Sequence, residues 1–112
     1  LNDATKQEEF DFESALTDES GRINMPPVAD AGDDQIVNAD DSGAAVVTLD
    51  GSRSFDEDGE IVSHVWMDVS NRVIGEAPII KVKLPKGNHT FTLTVTDNDR
   101  ASTSDAVTVQ IH

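Results

Sequence analysis

Along His89-Thr90-Phe91-Thr92-Leu93-Thr94-Val95-Thr96, large side chains hold the odd positions and threonines the even ones. A two-residue period of this kind predicts a β-strand that turns Phe91, Leu93 and Val95 toward a core. Val107, Val109 and Ile111 repeat the pattern with Thr108 and Gln110 outward, and Asp97-Asn98-Asp99-Arg100 between the two runs predicts a tight hairpin turn. Shorter strands are predicted at Gln35–Val37, Val46–Leu49, Ile61–Met67 and Ile79–Leu84. Val47 and Leu49 share one face, and so do Ile80, Val82 and Leu84. Within Ile61–Met67 the phase breaks, because Ile61, Val65 and Met67 conflict with His64 and Trp66. A bulge, or burial on both faces, is expected there. Seven or so short strands in about ninety residues, with turn signals every 8–12, predict an all-β, immunoglobulin-like antiparallel β-sandwich. No strand alternates with a helical pattern of useful length, which argues against an α/β fold.

The chain divides in two at Asn24. Residues 1–23 carry seven acids against Lys6 and Arg22, and their apolar cluster is Phe10, Phe12, Ala15 and Leu16. A segment of that composition buries little on its own and reads as an acidic interdomain linker with room for one short helix. Against this stands the reading that Phe10 and Phe12 dock on a neighbouring domain or a second copy. Pro26 and Pro27 then stiffen the start of the domain, residues 24–112.

Charge narrows the function. With 22 acidic and 8 basic side chains the net charge is −14, which repels phosphate and anionic lipid, so nucleic acid and membrane are not expected partners. No apolar run approaches the length of a membrane span, and no basic-then-apolar leader opens the chain, which is expected to be a soluble fragment or mature segment. Cysteine is absent, removing disulfides and thiolate chemistry. Catalysis finds little support: no serine sits in a G-x-S-x-G elbow, and His64, His89 and His112 lack zinc-type spacing.

The acids concentrate in loops. Ser52-Arg53-Ser54-Phe55-Asp56-Glu57-Asp58-Gly59-Glu60 is the densest, yet it lacks the twelfth-position Glu and the flanking helices of an EF-hand. Carboxylates spaced i, i+2 in a turn repel one another unless solvent or a hard cation neutralises them. Two readings therefore stand, a calcium site and a solvated turn.

Several segments in order resemble a PKD (polycystic kidney disease) domain over about residues 24–112. They are Asn24-Met25-Pro26-Pro27-Val28-Ala29-Asp30-Ala31-Gly32-Asp33-Asp34-Gln35, Leu49-Asp50-Gly51-Ser52, Ser54-Phe55-Asp56-Glu57-Asp58-Gly59-Glu60-Ile61, Trp66, and Phe91 through Asp99. The family's Gly-Asp-Gly turn after the tryptophan is replaced here by Met67-Asp68-Val69-Ser70-Asn71. The resemblance implies a disulfide-free immunoglobulin-like sandwich that serves as a non-catalytic accessory or spacer domain of a secreted hydrolase, in first place a metalloprotease. It also implies a calcium ion at the junction of linker and domain, with Asn24, Asp56, Asp58, Asp97 and Asp99 as ligands. The covalently attached catalytic domain would be the partner, and the domain itself a monomer, with a calcium-linked dimer as the alternative.

A second reading makes the domain a substrate- or surface-binding module for protein or polysaccharide. Sugar platforms need exposed aromatic faces, and residues 24–112 hold only Phe55, Trp66 and Phe91. Phe91 is in phase with the core, and a tryptophan in a central sandwich strand is normally buried. Lys81, Lys83 and Lys86 lie together and read either as guards of a strand edge or as an ordinary solvated face.

Overall fold

A computed structural model describes residues 25–112 of the chain. Seven strands follow in order: β1 Gln35–Val37, β2 Ala44–Asp50, β3 Ile61–Met67, β4 Val73–Gly75, β5 Ile79–Pro85, β6 Gly87–Asp97 and β7 Ser102–Ile111. Among the described residues there is no helix, and no helix long and apolar enough to cross a membrane. The strands form a five-stranded sheet in the order β1-β7-β6-β3-β4 and a two-stranded sheet of β2 and β5. This is the expected all-β immunoglobulin-like sandwich. One ladder departs from antiparallel: β1 runs parallel to β7, pairing Gln35 with Val109 and Val37 with Ile111.

Period-two alternation builds the core. Ala45, Val47 and Leu49 of β2 meet Phe91, Leu93 and Val95 of β6 and Val107, Val109 and Ile111 of β7, all buried. The other positions of these strands face out, where Thr94 meets Ser104 and Thr96 meets Ser102 through hydroxyl pairs at 2.8 Å. Against β6, strand β3 carries one extra residue between Ile61 and Ser63, which brings Ile61 into phase with His64 and Trp66. Val65 and Met67 on the opposite face are half-buried, and together these account for the broken phase. Trp66 is completely buried, and its indole N–H donates to the Ala77 carbonyl at 3.1 Å. Burying an indole without such an acceptor would leave a polar group unsatisfied.

Sequence pattern missed β4, which has three residues and includes a glycine, too short a run for alternation to register. The turn before it is closed by Asp68, whose Oδ1 accepts from the Ser70 N–H at 2.8 Å and the Arg72 N–H at 3.1 Å. Asn71 adopts φ 63 there, a left-handed conformation that asparagine tolerates. The departure from Gly-Asp-Gly thus still makes a tight turn.

Candidate metal centre

The loop between β2 and β3 and the hairpin turn between β6 and β7 lie side by side at one end of the sandwich. Register brings them together, since Ile61 at the start of β3 pairs with Asp97 at the end of β6. Asn98 staples the two: its N–H donates to the Glu60 carbonyl at 3.0 Å, and its Oδ1 accepts from the Glu60 N–H at 3.1 Å. Gly59 has to be small there, because a Cβ would collide with Asn98 Oδ1.

Much of the acidity has a local purpose. Asp30, Asp40, Asp50, Asp56, Asp68 and Asp97 each accept, through Oδ1, the N–H two residues on. This is the Asx turn, in which a carboxylate replaces a backbone carbonyl in closing the loop. Asp40, Asp50 and Asp68 have pKa values below the ordinary carboxylate range, owing chiefly to the hydrogen bonds they accept from Ser42, Ser52 and the Arg72 backbone respectively.

Asp56 behaves in the opposite way. Its Oδ1 takes the Asp58 N–H at 3.0 Å, while its Oδ2 is shielded from solvent with no donor among the described residues. Its carboxyl also lies against the carboxyls of Asp58 and Asp97. Burial first, and then those neighbouring carboxyls, push its pKa up to about 6. Asp97 is 1% exposed, and its Oδ1 accepts from the Asp99 N–H at 2.9 Å and the Ala101 N–H at 2.8 Å. Asp58 Oδ2 accepts from the Met25 N–H at 2.7 Å, which ties the start of the domain to the loop. Two more ties hold that stretch. Val28 and Phe55 exchange backbone hydrogen bonds at 2.7 and 3.1 Å, and Thr103 Oγ1 donates to the Pro27 carbonyl at 2.8 Å.

Of the five expected ligands, Asp56, Asp58 and Asp97 come together. Asp99 joins through its backbone N–H to Asp97, and Asn24 lies outside the described residues. No group of three His, Cys, Asp or Glu side chains among the described residues is arranged to hold a metal ion by itself. A cation there needs further oxygens, from backbone carbonyls, water or the residue before Met25. The chemistry of the donors suits a hard cation. Among the described residues all are carboxylate oxygens, Asp56 Oδ2 is buried without a donor, and no nitrogen or sulfur side chain is among the candidate ligands. Sequence reasoning missed the Met25 and Asn98 contacts, because backbone donors have no signature in residue type.

The other marked residues do not converge. His64 sits on β3 with its pKa lowered by burial. His89 on β6 places Nε2 2.8 Å from the Pro85 carbonyl. Trp66 and Phe91 are both in the core, leaving Phe55, at 49% exposure, as the solvent-facing aromatic among the described residues.

Loop positions, the buried tryptophan and the two-sheet order together match a known kind of domain. A family model described as K319L-like, PKD domain, matches residues 31–111. The chain belongs to this PKD family. The rat dyslexia-associated protein KIAA0319 homolog is 39% identical over 95 residues, covering 76% of this chain and 8% of that protein. The chain thus spans under a tenth of the length of the curated relatives it matches. The PKD1 domain of Vibrio anguillarum Epp superposes with a TM-score of 0.62 at 28% identity, covering 80% of this chain and 96% of that one. The PKD domain of the KIAA 1837 protein gives a TM-score of 0.62 at 30% identity, with 81% and 91% covered. PKD domains are in general non-catalytic modules of larger multidomain proteins, and this one has the same architecture.

Proposed function

We propose that this PKD domain is a non-catalytic spacer in a secreted or otherwise extracellular multidomain protein, and that calcium stiffens its N-terminal junction. The observation that supports this is the buried Asp56 Oδ2, which has no donor among the described residues and belongs to a carboxyl set against those of Asp58 and Asp97. Like charges so close are relieved either by a proton or by a cation. Asp56, Asp58 and Asp97 would hold the ion, and Asn24, which precedes Met25 in sequence, and Asp99 remain the further candidates that the family resemblance implies. Bound calcium supplies charge neutralisation. The chain's own contribution is mechanical, because the Met25 and Pro27 contacts already join the start of the domain to the β2–β3 loop and to β7.

The parent protein follows the relatives. At 36–39% identity these are KIAA0319 proteins, so a hydrolase parent, and a metalloprotease in particular, has no support from them. Binding of polysaccharide is disfavoured, because burial of Trp66 and Phe91 removes the aromatic platform it would need.

Calorimetric titration of the EDTA-treated chain with calcium chloride tests the proposal. One saturable site is expected, with a dissociation constant in the extracellular range of about 10⁻⁴–10⁻³ M. Asp56→Asn should weaken it at least about tenfold, and calcium at a hundredfold excess over that constant should add about 2.7 kcal/mol to stability. Heats equal to buffer dilution would remove calcium from the proposal and leave a passive spacer. Sedimentation with and without calcium should show a monomer throughout; a calcium-dependent dimer would move the ion to an intermolecular joint.

A further inference from the structure

Asn88-His89-Thr90, at the start of β6, reads Asn-x-Thr with a residue other than proline between, and no other asparagine of the chain opens such a triplet. That spacing is the acceptor signal for N-linked glycosylation, in which the hydroxyl two residues on is recognised together with the carboxamide. Such triplets also arise by chance, so the fold has to leave a glycan its place in water.

The geometry around Asn88 does so. Period two turns Asn88 and Thr90 to the same outward face and His89 away from it, with His89 Nε2 2.8 Å from the Pro85 carbonyl. Asn88 pairs with Gln110 of β7, and Gln110 with Ile36 of β1, so the three form one row on the outward face of the five-stranded sheet. Asn88 is exposed, and Ile36 at the other end of the row is 72% exposed. Residues 85–88, which lead into the strand, are all exposed, and a Cβ built on Gly87 would meet nothing within 4 Å. Asn98 makes the contrast, since its Oδ1 is engaged by the Glu60 N–H and its triplet closes on Arg100.

We propose that Asn88 carries an N-linked glycan. In that step Asn88 Nδ2 attacks the anomeric carbon of an oligosaccharide held on a polyprenyl diphosphate. A carbon–nitrogen bond forms and the bond from that carbon to the phosphate oxygen breaks. Nδ2 gives up a proton, and the diphosphate leaves with the electron pair. A glycan is too polar to bury, and the outward row keeps it in solvent. The inference rests on the extracellular part of the reading above, because the transfer takes place on the secretory route. It is independent of calcium: Asp97 lies at the far end of the same strand, about 30 Å away at the ordinary rise per residue. Glycan and cation would thus occupy opposite ends of the domain. The glycan closes its end of the outward face to protein partners and leaves the metal end open.

The full chain, secreted from cultured mammalian cells behind an appended leader, tests it by mass spectrometry. Its intact mass should exceed that of the sequence, and PNGase F in heavy-oxygen water should remove the excess and leave the label on Asn88. Asn88→Gln and Thr90→Val should lose that mass, whereas Thr90→Ser should keep it, because serine supplies the same hydroxyl. Wild type without label on Asn88, or label there that survives in Thr90→Val, would overturn the proposal. The leader forces passage along the secretory route, so that failure is separate from a failure of the extracellular reading. Surface biotinylation of cells that make the full-length parent exposes the latter, and a parent found only inside the cell overturns both.

Discussion

Replacing Asp97 by alanine and, separately, by asparagine divides what this side chain does for the fold from what it does for a cation. Asp97 Oδ1 accepts two backbone N–H groups, from Asp99 and Ala101, and closes the hairpin between β6 and β7. Hydrogen bonds to a charged acceptor contribute about 1.5–3 kcal/mol each. The donors sit on a turn at the end of the sandwich, where water takes over part of that role. A net loss of about 3 kcal/mol is therefore expected for Asp97→Ala. For a domain of this size that lowers Tm by roughly 12–24 °C. Asp97→Asn keeps the Oδ1 acceptor and removes a negative charge beside Asp56, so it should stay within about 1 kcal/mol, or roughly 5 °C, of wild type in EDTA. Calcium should then raise the Tm of wild type but not of Asp97→Asn. Thermal melts followed by circular dichroism, in EDTA and in calcium, give all of these values. If asparagine melts as low as alanine, charge rather than turn closure holds the hairpin, and the reasoning fails.

Three further outcomes are expected. Gly51→Ala places a Cβ 2.5 Å from Leu93 Cδ2 and 3.1 Å from Trp66 Cζ2, both in the core, so urea denaturation should show a loss of about 1–3 kcal/mol; an unchanged midpoint would mean that the core yields there. Trp66→Ala empties a fully buried site and should cost about 3–5 kcal/mol, while wild-type tryptophan fluorescence should be blue-shifted and shift red only on unfolding. Two groups make the calcium-free domain respond to pH in opposite senses. Asp56 binds its proton more tightly folded, at about 6 against 3.8, so its contribution to stability falls as pH rises from 3.8 to 6; denaturation midpoints of Asp56→Asn should lack that slope. His64, with a folded pKa lowered from 6.5, contributes stability that is present above pH 6.5 and lost as pH falls below it, and His64→Gln should remove that loss.

Much of this architecture was legible along the chain, because a strand with one buried face imposes a local rule. Phe91-Thr92-Leu93-Thr94-Val95 declares its inner face two residues at a time, and the buried set in β6 and β7 follows it. The irregular strand announced itself too: the broken phase along Ile61–Met67 corresponds to the register shift between Ile61 and Ser63. The loop acids were visible as a cluster, but their turn-closing role was not, since the donor two residues on is a backbone N–H that any residue supplies.

Tertiary structure alone decided what lies between distant segments. The parallel seating of β1 on β7 depends on backbone hydrogen bonds, which any residue type can make. The three-residue β4 exists because β3 offers it an edge, whereas its own sequence is too short to demand a strand. In the sequence Asp56 and Asp97 are both turn acids with a second acid two residues on. Pairing of Ile61 with Asp97 brings their loops together, buries Asp97 and leaves Asp56 Oδ2 without a donor among the described residues. Alternation is a property of neighbours in sequence and can be read from them. Desolvation and charge crowding are properties of neighbours in space, and they arise only once the strand register has been set.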